Sequence, residues 1–113
     1  MIGIRGAIAS VENSKDSILE SSKILFNTIL EKNNLVVTKI VSVIFTVTKD
    51  LDTAFPAKAI RDLGYAEISA LDTLAPDVKD DLLGCIRILV IYEDQFDPNH
   101  VYLGEAKNLR NDR

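Results

Sequence analysis

The 113-residue chain is long enough for one domain around one core, and 47% hydrophobic residues exclude a disordered polymer. Its net charge of −4 argues against a nucleic-acid or acidic-membrane partner, because it has no basic excess to displace counterions. One cysteine, Cys85, excludes a disulfide framework or a cysteine metal site within the chain.

Residues 1–9 alternate and carry β-branched side chains, which predicts a first strand. Asn13 or Ser14 can cap a helix running to about Lys32, with Ile18, Leu19, Leu25, Phe26, Ile29 and Leu30 on one face. Asn33-Asn34 ends it. Ile40–Val47 is a strand apolar enough to expect cover on both faces. It is far too short to span a membrane, and no signal peptide is apparent, so a cytoplasmic protein is expected. Asp52 or Thr53 opens a short helix with Pro56 in its first turn and Gly64 just past its end. A short strand is expected at Glu67–Ala70, and Pro76 with Asp77, Asp80 and Asp81 reads as a polar loop. Gly84–Tyr92 is the third main strand, Asp97-Pro98-Asn99 a turn, and His100–Leu103 a short strand. The polar tail from Lys107 is expected to be mobile over its last residues, about 110–113. The order predicts an α+β fold: a β-α-β-α-β-β mixed sheet, its helices on one face. The other face then needs cover, which predicts an oligomer.

Arg87 interrupts the apolar Gly84–Tyr92 run, and Arg5 interrupts the first strand. A desolvated guanidinium asks for an anion, either a carboxylate of the protein or a ligand. Strand alternation puts Cys85, Leu89 and Ile91 on the face of Arg87. Arg5 shares its face with Gly3 and Ala7, whose small side chains leave room beside it. Lys58 and Arg61 stand three apart near the start of the short helix, where free N–H groups favour anions; two solvated charges are the other reading. His100 is the only histidine and is read as structural or exposed. There is no serine elbow, P-loop or dinucleotide glycine motif, so an enzyme here would need neither nucleophile, metal nor cofactor.

Four segments occur in order: Gly3-Ile4-Arg5-Gly6-Ala7, Phe55-Pro56-Ala57-Lys58-Ala59-Ile60-Arg61, Cys85-Ile86-Arg87 and His100-Val101-Tyr102-Leu103. Together they resemble the small trimeric chorismate mutases of the AroH class, over about residues 1–110. The resemblance implies a homotrimer forming a pseudo-α/β-barrel, with active sites at the subunit interfaces. It also implies a cofactor-independent Claisen rearrangement of chorismate to prephenate, in phenylalanine and tyrosine biosynthesis. The substrate is a dianion held in a compact shape, and negative charge grows on its ether oxygen as the C–O bond breaks.

Position by position, the resemblance assigns Arg87 to the ether oxygen and a carboxylate, and Arg5 and Tyr102 to a carboxylate. Phe55, Arg61 and Lys58 are contributed across the interface, and Leu109 covers the bound ring from the tail. The family pattern also has a glutamate that braces the strand arginine, with a cysteine three residues before it. Those positions fall here on Ala75 and Asp72, so Asp72 is expected to take over the carboxylate's role from the same pocket; a surface role is the alternative. Two other functions share the architecture. One is an enamine or imine deaminase, whose arginine motif near the C-terminus is not apparent here. The other is a catalytically silent binder of chorismate-like anions, which Ala75 leaves open.

Overall fold

The computed structural model describes residues 1–111, with side chains through Lys107. Five strands and two helices follow in the order β1 (Ile2–Ile8), α1 (Lys15–Lys32), β2 (Ile40–Val47), α2 (Lys58–Asp62), β3 (Ser69–Leu74), β4 (Ile86–Tyr92) and β5 (Val101–Leu103). The mixed sheet has the order β3-β2-β4-β1-β5. β4 is antiparallel to β1 and β2, while β3 and β5 lie parallel to their neighbours at the edges. The expected α+β architecture, with helices on one face, is the one observed.

α1 starts where Ser14 Oγ accepts the Ser17 N–H at 3.1 Å. Asn13 instead ties the helix entry to the loop after β2, bonding Asp52 and Thr53. Ile18, Leu25, Phe26 and Ile29 of α1 are fully buried against Ile4, Val43, Phe45, Ile88 and Val90 of the sheet. Each such side chain contributes on the order of 1.5–3 kcal/mol of transfer free energy. Alternation along β4 is regular: Ile86, Ile88, Val90 and Tyr92 are buried, and Arg87, Leu89 and Ile91 are half-exposed on the far face. Ile44 of β2 is likewise half-exposed, so within the single chain the expected cover on both faces of β2 is present on one only.

The strands β1, β4 and β5 begin one or two residues inside their expected ranges, and larger differences fall at α2, β3 and the tail. α2 begins at Lys58, five or six residues later than expected, because Asp52 and Thr53 are engaged with Asn13. It ends as predicted at Gly64, whose φ of +92° lets its N–H reach the Arg61 carbonyl while the Tyr65 N–H reaches that of Ile60. β3 runs over Ser69–Leu74, displaced toward the C-terminus because it pairs in parallel with Ser42–Val47. After β5 the chain winds into a 3-10 helix, Gly104–Asn111, over part of the expected polar tail; the expected mobile end, about 110–113, lies partly outside the described residues. Ala106 of this helix meets Ala7, Ala9 and Cys85 in a small second cluster, so the cysteine is a buried hydrophobe as read.

β4 is launched from a constrained corner. Gly84 has φ +60°, and a Cβ there would lie 2.6 Å from the Val11 carbonyl oxygen. Its N–H is held by Asp50 Oδ2 at 2.9 Å, and the Cys85 N–H by Thr48 Oγ1 at 3.0 Å. Gly84→Ala is therefore expected to lower stability by about 2 kcal/mol or more, seen as a lower urea midpoint at unchanged slope.

Candidate active site

Register builds the site. Across the face not covered by α1, a line of residues runs Thr73, Thr46, Arg87, Ala7, Tyr102 from β3 to β5. In the next line stand Leu71, Ile44, Leu89 and Arg5. Arg87, Arg5 and Tyr102 thus share one face, separated by the methyl group of Ala7. Arg87 is half-buried, and among the described residues no carboxylate pairs with it. Of the two anions considered for it, the internal ion pair is not the one found. Arg5 is more exposed than a strand position suggested, and its backbone N–H donates to His100 Nδ1 at 3.0 Å. The Oγ1 of Thr46, beside Arg87 in the β2–β4 ladder, is buried without a hydrogen-bond partner among the described residues.

The remaining described candidates lie elsewhere. Phe55 and Asp72 line a cleft of about 370 Å³ between the 51–56 loop and β3. Asp72 is paired in register with Phe45, a core residue, and so points to the helix-covered side, opposite to Arg87. Within one chain, then, Asp72 and Arg87 stand on opposite sides of the sheet. The Asp72 carboxylate accepts the Ala57 N–H at 2.8 Å. Burial raises its carboxyl above the usual range, and this outweighs the opposing pull of the Ala57 N–H and the Arg61 charge.

The N–H groups expected to attract an anion at the start of α2 are already used. Asp72 takes that of Ala57, and the Phe55 and Pro56 carbonyls take those of Lys58 and Ala59. Lys58 pairs with Asp62 at 2.9 Å and holds that exposed carboxyl below the usual range. The Leu109 side chain lies outside the described residues.

Phe55 is 70% exposed, Leu71 67% and Leu74 63%, too much apolar surface for one sheet edge to leave in water. The candidates therefore fall into two groups: the arginines and tyrosine on the open face, and Phe55 with Asp72 at the cleft, where the Arg61 charge is felt by Asp72. Among the described residues no cluster of histidine, cysteine and acidic side chains could hold a metal ion. No helix of the described chain is long and apolar enough to cross a membrane. His100, read from the sequence as structural or exposed, stands just before β5 and accepts the Arg5 backbone N–H.

A family model described as chorismate mutase type I matches residues 1–113. The chain is similar to chorismate mutase AroH of Thermus thermophilus, at 38% identity over 97% of this chain and 93% of that protein. It is also similar to chorismate mutase AroH of Bacillus subtilis (strain 168), at 33% identity over 97% and 90% of the two chains. A solved chorismate mutase from Clostridium thermocellum superposes with a TM-score of 0.91 at 39% identity, covering 95% of this chain and 98% of the other.

Proposed function

The chain belongs to the chorismate mutase type I family, and from that premise we propose that it rearranges chorismate to prephenate, without a cofactor, at sites between the subunits of a homotrimer. The observation that carries this reading is Arg87: a half-buried guanidinium on a rigid central strand with no carboxylate partner among the described residues. The reaction breaks an ether C–O bond and forms a C–C bond within one molecule, with no proton to transfer and no covalent intermediate. The protein's tasks are to hold the dianion compactly and to stabilise charge on the ether oxygen. A planar guanidinium suits the second task, since it stays charged in a dry pocket and can also reach a carboxylate.

Arg5 and Tyr102 hold a carboxylate from the open face. Phe55 supplies an apolar wall, with Arg61 and Lys58 at the mouth and Leu109 over the ring. In this reading the Phe55–Asp72 half of one subunit closes on the Arg87 half of its neighbour. The exposed apolar edge and the separation of the two halves support that assembly. Sedimentation of the purified protein as a trimer is the expected check. The family comparisons do not favour the deaminase or the silent binder. Ultraviolet loss of chorismate tests the function directly, with prephenate confirmed by acid conversion to phenylpyruvate.

Asp72 supplies a carboxylate to the substrate hydroxyl across the interface. Its raised native pKa means that the folded protein holds the proton longer than the unfolded chain. Ionisation of Asp72 therefore costs stability as pH rises through the carboxyl range up to the raised value. Asp72→Asn keeps an acceptor for the Ala57 N–H and removes that charge. Its melting temperature at pH 7 is expected to equal or exceed that of the wild type, while turnover falls strongly. Undiminished turnover would remove Asp72 from the site.

A further inference from the structure

Thr46 lies on the open face of the sheet, directly opposite Arg87 in the antiparallel β2–β4 ladder and Thr73 in the parallel β2–β3 ladder. Its Oγ1 is shut off from solvent and has no hydrogen-bond partner among the described residues. A buried hydroxyl without a partner costs free energy, since it gives up water and gains nothing in return. Valine has nearly the same shape and would fill this strand position without that cost. The hydroxyl therefore asks for a partner close by.

The side chains that flank it on this face narrow the choice. Ile44 and Leu89 are apolar. Thr48 Oγ1 already accepts the Cys85 N–H at 3.0 Å. Cys85 is packed with Ala7, Ala9 and Ala106. Thr73 is exposed and keeps its contact with water. Arg87 remains. Its guanidinium forms no ion pair among the described residues, and it carries N–H donors without an acceptor. Directly opposed residues of an antiparallel pair have Cβ atoms about 4.5–5.5 Å apart. Rotation about the Arg87 side-chain bonds is then enough to bring one N–H to Thr46 Oγ1.

We propose that Thr46 is a positioning residue for Arg87, whose Oγ1 accepts one guanidinium N–H while the other donors engage the ether oxygen and a carboxylate. The proposal rests on the chorismate reading above. Because Oγ1 is shut off from solvent, it acts through Arg87 and does not touch the substrate. A long side chain anchored at its Cα alone can roll about its own axis. One N–H held on the neighbouring strand fixes that roll, and the remaining donors of the planar fork then point one way. A donor fixed before the ether bond breaks has no reorganisation to complete as charge develops, so the effect falls on kcat.

The test is a double-mutant cycle in chorismate turnover, with melting temperature and sedimentation measured for each variant. Thr46→Val is expected to lower kcat about tenfold, the scale of one hydrogen bond to a charged group, with KM changed less. Its melting temperature should equal or exceed that of the wild type, since a methyl group replaces a buried hydroxyl without a partner. Thr46→Ser keeps the hydroxyl and should retain most of kcat. In an Arg87→Ala background, Thr46→Val should cost nothing further, because the group it positions is gone. Wild-type kcat in Thr46→Val would overturn the proposal and leave the mutase reading intact. A further loss of the same size in the Arg87→Ala background would assign the hydroxyl to something other than Arg87, which also overturns it. So would equal losses in Thr46→Ser and Thr46→Val, or a loss accompanied by a lower melting temperature or a broken trimer. Wild-type protein that does not turn over chorismate would refute the mutase reading and the proposal together.

Discussion

Arg87→Ala is expected to lower kcat for chorismate by about 10²–10³, the roughly 2.7–4 kcal/mol that follows loss of one donor to a developing oxyanion. The fold should be unaffected, because the side chain lies on the half-exposed face of β4 and forms no ion pair among the described residues. An unchanged melting temperature would show this. KM should change less than kcat, since the interaction strengthens as the ether bond breaks and Arg5 still holds a carboxylate. Arg87→Lys separates charge from geometry. A lysine keeps the positive charge but cannot span two oxygens with a planar fork. It too should be severely impaired, and near-normal turnover by the lysine variant would rule out the bidentate role.

Much of the fold was legible because its strongest signals are periodic. The apolar stripe of α1 and the alternation of β4 each state which face is buried, and the structure buries those faces. Arg87 was legible for the same reason: a charge at an alternating position cannot be hidden by a change of register without exposing Ile86, Ile88 and Val90. Signals set by distant contacts were not legible. α2 starts at Lys58 because Asn13, 39 and 40 residues before them in sequence, occupies Asp52 and Thr53. The face of Asp72 depends on which residue of β2 it meets, and a slip of one would reverse it. Within one chain Asp72 therefore faces the side of the sheet opposite to Arg87. The His100–Arg5 contact joins residues 95 apart, and no local pattern announces it.

The opposite placement of Asp72 and Arg87 leads to a test of the assembly. If each active site drew all its residues from one subunit, a mixture of two inactive variants would contain no intact site, since every chain would carry one lesion. The proposed assembly predicts otherwise. Arg87 faces outward from the uncovered side of the sheet, and Asp72 opens beside Phe55 at the cleft against β3; in that assembly one site takes Arg87 from one subunit and Asp72 from the next. In mixed trimers of Arg87→Ala and Asp72→Asn, a site is intact when the Asp72→Asn chain supplies its arginine and the Arg87→Ala chain its aspartate. Random assembly from equal amounts meets that condition at about a quarter of interfaces. Two preparations of very low activity, unfolded together and refolded, are therefore expected to recover about a quarter of wild-type turnover, while each refolded alone recovers none. Recovery has to depend on subunit exchange, so simple mixing without unfolding should restore activity only as fast as trimers dissociate. No recovery from well-mixed, correctly sized trimers would mean that Asp72 and Arg87 serve the same subunit's site, which the opposite faces of β3 and β4 argue against.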